Sequence, residues 1–90
     1  MIEEWQIISA KDSQPQWTGD LSDDCTARWA GFLLRAEWID DDDWWWAVFD
    51  ANSDEVAGSH AAGRFAKSGA EARMEGEKAV RRLLGLSQSE

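Results

Sequence analysis

This chain of 90 residues contains one cysteine, one proline and one histidine, and basic residues are scarce over its first two thirds. Because Cys25 has no partner cysteine, an intrachain disulfide framework is excluded, which fits a reducing cytoplasm. No apolar run approaches the ~18 residues that a membrane-spanning helix needs. The acidic start, Met1–Trp5, is unlike the basic start of a signal peptide. We therefore expect a cytoplasmic protein with no membrane segment.

The shortage of bases leaves the N-terminal part strongly acidic. The net charge is −9, and residues 1–63 carry 14 acids against three bases, whereas residues 64–90 carry four acids and six bases. Phosphate contacts need a basic surface, so direct binding to nucleic acid is disfavoured. A basic partner protein is favoured instead, because opposite charges speed the encounter of two proteins.

The length predicts a single small domain over residues 1–86, with residues 87–90 as a frayed tail. A small domain buries a limited part of its surface, so each large side chain matters. Seven tryptophans and three phenylalanines supply the bulk of the expected core.

The most informative stretch is Asp40–Asp43, which runs directly into Trp44–Trp46. Dense charge stays in water and dense indole leaves it, so the chain is expected to turn sharply there. The patterns around this turn predict a strand over Thr26–Ile39, with Phe32, Leu34, Ala36 and Trp38 on its apolar face. They also predict a returning strand over Trp44–Asp50, apolar on both faces and with its second face partly covered. A further strand is predicted over Glu3–Ala10, and a long loop over Lys11–Asp24 that Trp17 and Leu21 pin to the body.

The C-terminal third predicts a turn, a weak strand and a helix. Ala51–Asp54 has the composition of a turn, and Glu55–Phe65 reads as a strand thinned by two glycines. Ser68 and Glu71 have the spacing of a helix N-cap. An apolar stripe at helical spacing follows, with Gly85 as the stop: Ala72, Gly76, Ala79, Val80, Leu83 and Leu84. Gly76 is expected to admit a tryptophan from the sheet.

The predicted architecture is therefore α+β, with three or four antiparallel strands and one C-terminal helix packed across a face, in the order β-β-β-(β)-α.

No pattern of catalytic or ligating residues identifies a reaction. The Asp40–Asp43 run lacks the spaced acids, glycine and distal glutamate of a calcium loop, so a solvated turn or a partner-facing acidic surface is favoured over a metal site. Eighteen acids form pairs by chance, and Cys25 and His60 have no catalytic spacing. We expect no enzyme activity, no metal and no cofactor.

Two other groups of residues have simple structural explanations. Most tryptophans are expected in the core, with Trp17 and Trp45 as the candidates for exposed interface anchors. The basic helix residues are explained by solubility and by the helix dipole: Arg73, Lys78, Arg81 and Arg82.

The acidic surface remains as the candidate for binding. Residues in a strand rise by ~3.3 Å, close to the ~3.4 Å between phosphates of a DNA strand, so carboxylates on a sheet can imitate a phosphate track. The acidity can equally serve solubility alone. The predicted partner-binding residues are Asp20, Asp23, Asp24, Asp40, Asp41, Asp42, Asp43, Asp50 and Asp54, with Trp17 and Trp45.

The size, the acidity and the order of Trp44–Asp50, Glu55–Gly58 and Ser68–Leu84 resemble small proteins of phages and mobile elements, among them anti-CRISPR and other DNA-mimic inhibitors. The resemblance implies a non-catalytic, stoichiometric, protein-binding class, and a bacterial host cytoplasm if the chain is phage-encoded. The acidic surface leads to the more specific hypothesis of an inhibitor that occupies a basic, nucleic-acid-binding groove of a partner protein. The alternative is a small scaffold or homodimerisation domain that uses an exposed aromatic strand.

Overall fold

The computed structural model describes residues 2–86. The tail predicted at 87–90 lies outside the described residues. The described part holds a five-stranded antiparallel sheet in the order β1-β2-β3-β4-β5. The elements in chain order are α1 (Glu4–Asp12), β1 (Thr18–Gly19), β2 (Asp24–Trp29), β3 (Phe32–Asp40), β4 (Asp43–Phe49), β5 (Glu55–Gly58), α2 (Ser59–Ala62) and α3 (Gly69–Leu83). The α+β class and the C-terminal helix are confirmed, but the sheet has five strands rather than three or four.

The strand predicted over Glu3–Ala10 is wrong, because this segment forms α1. The buried residues of α1 are Gln6 and Ala10, four apart, which is a helical spacing. The side-chain amide of Gln6 makes two hydrogen bonds that hold the helix in place. Its Oε1 accepts from the backbone N of Glu3 at 2.9 Å, and its Nε2 donates to the carbonyl of Ala30 at 2.8 Å. The contact with Ala30 is 24 residues away, so it leaves no mark on the local pattern.

The single strand predicted over Thr26–Ile39 is two strands. Trp29 and Phe32 pair across a two-residue turn in which Ala30 and Gly31 both have positive φ, 54° and 85°. Such turns match the twist of the flanking strands. A side chain at Gly31 would also collide with α1, since a Cβ there would lie 2.7 Å from Nε2 of Gln6.

The predicted turn at Asp40–Asp43 and the strand after it are confirmed. Asp40 pairs with Asp43, so the turn itself is Asp41–Asp42, with Asp41 at φ 43°. The turn predicted at Ala51–Asp54 is also present between β4 and β5. The strand predicted over Glu55–Phe65 ends at Gly58, and His60 lies on the short helix α2 rather than on a strand.

Helix α3 begins and ends as the sequence predicts. The Ser68 hydroxyl accepts from the backbone N of Glu71 at 3.1 Å, and Gly85 follows the helix at φ 76°. Its buried stripe is Ala72, Gly76, Ala79 and Val80. The expectation that Gly76 admits a tryptophan is wrong: a Cβ at Gly76 would meet Leu34. Trp44 packs instead against Gly69, where a Cβ would lie 2.9 Å from the ring.

The core lies between α3 and one face of the sheet. The alternate residues of β3 and β4 that face α3 are buried: Phe32, Leu34, Ala36, Trp44, Trp46 and Val48. On the other face Ala47 is fully buried, while Trp45 and Phe49 are half-buried. The partial cover predicted for the second face of this strand is therefore correct. No helix within residues 2–86 is long and apolar enough to cross a membrane.

Candidate partner-binding surface

Two acidic turns meet at one end of the sheet. The β1–β2 turn and the β3–β4 turn lie at the same end because β1 to β4 are consecutive antiparallel neighbours. The backbone N of Trp38 donates to the carbonyl of Asp23 at 2.9 Å, which joins one turn to the other hairpin. We call this surface the acidic hairpin end; it contains Asp20, Asp23, Asp24, Asp40, Asp41, Asp42 and Asp43.

The β1–β2 turn is held by its own hydrogen bonds and by α3. The Asp20 side chain accepts from the backbone N of Ser22 at 2.8 Å, an arrangement that aspartate commonly makes in turns. The backbone N of Asp20 donates to the carbonyl of Asp24 at 3.0 Å. From the helix, Nη1 of Arg73 donates to the carbonyl of Leu21 at 3.1 Å. This turn therefore has a fixed position relative to the helix.

The β3–β4 turn is held by Trp38. Its indole Nε1 donates to the carbonyl of Asp41 at 3.1 Å. Trp38 pairs with Trp44 across the hairpin, and the register shifts between Trp38 and Asp40. Trp38 thus contacts both acidic turns, through its backbone on one side and its indole on the other.

Most of the negative charge at this end is not neutralised. Asp24 lies 3.5 Å from Arg35, and Asp43 lies 3.3 Å from Lys67. Both pairs are exposed to solvent, where such pairs contribute little. The other five aspartates of the acidic hairpin end form no salt bridge within residues 2–86. No three His, Cys, Asp or Glu side chains of the described residues converge as metal ligands do.

Exposed apolar side chains lie among these acids. Leu21, Trp38 and Ile39 are 49%, 46% and 44% exposed. Leu21 lies within the first acidic turn, and Trp38 and Ile39 are the last two residues before the second. Apolar contacts surrounded by charged groups are typical of a surface that binds another protein.

The structure does not bring Asp50 and Asp54 to this end. They follow β4 at its other end, ~20 Å from the acidic hairpin end by strand rise. Asp50 has a structural role there, since its Oδ1 accepts from the backbone N of Asn52 and of Asp54 at 2.9 and 3.0 Å.

The two tryptophans predicted as interface anchors are both half-buried. Trp17 packs against the core, and its indole donates to Oε2 of Glu77 at 2.8 Å. Trp45 lies on the sheet face opposite α3, where the Arg35 guanidinium sits 5.6 Å from its ring centre. The more exposed tryptophans are Trp38 and Trp5, the latter at 55%. Strand alternation placed Trp38 in the core with Phe32; its position at the strand end, beside the acidic run, was the available signal.

The remaining residues that could carry chemistry are Cys25, the basic residues of α3 and His60. Cys25 is buried, with Sγ 3.7 Å from the carbonyl of Ala36. Arg81 lies over the ring of Trp29, 5.1 Å from its centre, while His60 is exposed on α2.

Comparison with known proteins identifies no relative: the chain matches no protein-family model, no curated protein and no solved structure.

Proposed function

We propose that this chain is a non-enzymatic protein-binding module, an inhibitor whose acidic hairpin end occupies a basic, nucleic-acid-binding groove of a partner protein. The observation that carries the proposal is the joining of two aspartate-rich turns through Trp38, whose two hydrogen bonds reach Asp23 and Asp41. Carboxylates carried on a backbone that is held in position bind with less loss of conformational entropy than carboxylates on free loops.

A basic groove is the partner surface that fits this end best. Five aspartates without a salt bridge give a dense negative field, which steers a positively charged surface towards it. Leu21, Trp38 and Ile39 supply the apolar contact that keeps the complex together once it has formed. The resemblance to phage DNA-mimic inhibitors implies the same mode of action, in a bacterial host cytoplasm.

The other predicted residues have supporting parts in this proposal. Asp50 and Asp54 provide a second acidic point, ~20 Å from the first along β4. Trp45 and Trp17 stay predicted contacts, although Trp17 also braces the loop to α3 through Glu77.

A scaffold or homodimerisation domain is the second candidate. The observation in its favour is the sheet face opposite α3, where Trp45, Phe49 and Leu33 are half-buried rather than covered. Two copies joined through this face would associate by apolar burial, so the association would tolerate salt and the apparent mass would double with concentration.

The test is affinity capture from a bacterial lysate with three forms of the chain. The first is the unaltered chain, and the second carries Asp41→Asn and Asp42→Asn in the acidic turn. Asparagine tolerates the positive φ of Asp41, so the turn is expected to keep its shape. The matched control carries Glu4→Gln and Asp12→Asn, which remove the same charge from α1, where neither side chain forms a salt bridge within residues 2–86.

We expect the unaltered chain and the α1 control to retain the same nucleic-acid-binding protein, and the turn variant to retain much less of it. Raising the salt concentration should release the protein, because the attraction between exposed charges is screened. Equal retention by all three forms, or retention that salt does not weaken, would contradict the proposal and favour the second candidate.

A further inference from the structure

A second surface, at the opposite end of β4 from the acidic hairpin end, has the features of a peptide-binding groove. It is a groove of about 320 Å³ between the start of α1, the β4–β5 turn and the end of α3. This volume is within the usual range for sites that take a small ligand or a few side chains. Ile2, Trp5, Val56 and Leu83 line it, together with the acids Glu3 and Asp50.

The apolar lining is unusually exposed. Trp5 is 55% exposed, Ile2 41%, Val56 39% and Leu83 37%. They come from the N-terminal segment, α1, β5 and α3, so the fold brings four separate apolar side chains to one groove. Single exposed apolar residues are normal on a protein surface, whereas a contiguous group of them marks a binding surface.

The charge around the groove selects its occupant. Glu3 and Asp50 are the charged residues that line it, and no lysine, arginine or histidine does so among the described residues. The Asp50 carboxylate is held in position by the backbone N of Asn52 and of Asp54. An apolar floor with acidic margins complements an apolar side chain flanked by lysine or arginine. It disfavours nucleic acid and acidic peptides.

We propose that this groove binds a linear segment of a partner protein in which an apolar anchor residue is flanked by basic residues. The anchor packs on Trp5 and Val56, and the flanking cations lie near Glu3 and Asp50. A second copy of this chain is a poor occupant, because each copy carries a net charge of −9. This inference does not depend on the proposed function, because the acidic hairpin end takes no part in it and Asp50 alone is common to both.

The experiment is a selection from a display library of random peptides of roughly ten residues, long enough to present an anchor residue together with its flanking positions. The full chain is the bait. Trp5→Lys, which places a cation in the groove, serves for counter-selection. Val56→Lys also places a cation in the groove, from β5. With two independent groove variants, a folding defect in one of them does not decide the result. Ile8→Lys is the matched control, because Ile8 is 51% exposed on the same helix and does not line the groove.

The selected peptides are expected to share an apolar residue with lysine or arginine close to it on either side. Measured by fluorescence anisotropy, their Kd should rise about tenfold or more with Trp5→Lys and with Val56→Lys, as for the loss of an interface anchor. Ile8→Lys should leave the Kd unchanged. The Asp41→Asn, Asp42→Asn chain should also bind these peptides as the unaltered chain does, which separates this inference from the proposed function.

Several results would overturn the inference. The first is a selection that yields no peptide above the counter-selected background. The second is a set of selected peptides that is acidic or lacks an apolar anchor. The third is binding that the two groove variants leave intact, or that Ile8→Lys weakens as much as they do. A concentration-dependent dimer that Val56→Lys abolishes would assign the groove to a second copy instead.

Discussion

The indole of Trp38 donates a hydrogen bond to the carbonyl oxygen of Asp41, 3.1 Å away. The same residue donates its backbone N–H to Asp23 in the neighbouring hairpin. An exposed tryptophan therefore fixes two acidic turns relative to each other. This bracing holds the backbone that carries the carboxylates, which favours binding to a basic groove.

Replacement of Trp38 with phenylalanine should loosen the acidic turn without unfolding the protein. Phenylalanine keeps an aromatic ring at this position, but the hydrogen bond to Asp41 is lost. We therefore expect faster amide hydrogen exchange at Asp42 and Asp43, and a loss of stability of about 1 kcal/mol or less. Exchange measured by NMR checks this. Trp5→Phe is the control, because the Trp5 indole makes no hydrogen bond within residues 2–86. Equal changes in both variants would show that the Trp38 bond has no effect on the turn.

The bond between Trp17 and Glu77 should contribute to global stability. It joins the loop before β1 to α3 over 60 residues of sequence, and a bond to a charged acceptor is worth roughly 1–2 kcal/mol at a partly buried position. Trp17→Phe should lower the free energy of unfolding by about that amount in urea denaturation. Combination with Glu77→Ala should add little further loss, since both changes remove the same bond. Fully additive losses would show that the two side chains act separately.

Two glycines of the helix region should respond to alanine in opposite directions. At Gly76 a Cβ would lie 3.4 Å from Leu34, an ordinary contact, and alanine is the better helix former by about 1 kcal/mol. Gly76→Ala should therefore be neutral or stabilising. At Gly69 a Cβ would lie 2.9 Å from the buried ring of Trp44, so Gly69→Ala should destabilise by about 1–3 kcal/mol. Thermal unfolding of the two variants side by side checks the difference, and a stabilised Gly69→Ala would contradict the packing of Trp44 on α3.

The sequence predicted the elements whose signals are local. Three such elements are present in the structure: the cap at Ser68, the stop at Gly85 and the turn before Trp44. Each depends on residues that are only a few positions apart in the sequence. The core faces of β3 and β4 followed from the alternation of apolar residues, except at Trp38. The last three residues of β3 are exposed, and Trp38 is the first of them.

The errors came from contacts that are distant in the sequence or from a turn with weak composition. Helix α1 is fixed partly by the bond from Gln6 to Ala30, which no local pattern reveals. Its other support is local, because Glu3 and Gln6 have the three-residue spacing of a helix capping box. The Ala30–Gly31 turn lacks asparagine or aspartate, so two strands read as one. The acidic surface depends on the same turn. Because the Ala30–Gly31 turn divides the predicted strand into β2 and β3, the β1–β2 turn lies at the end of the sheet where Asp40–Asp43 lie. The position of Asp20, Asp23 and Asp24 beside that run was therefore not predictable from the order of residues alone.

Competition between this chain and a DNA or RNA duplex, for the partner recovered by affinity capture, tests whether the acidic hairpin end occupies a nucleic-acid-binding groove. We expect mutual exclusion: the chain displaces the nucleic acid from the partner, and Asp41→Asn with Asp42→Asn weakens the displacement, whereas Glu4→Gln with Asp12→Asn does not. A stable ternary complex of partner, nucleic acid and this chain would contradict it.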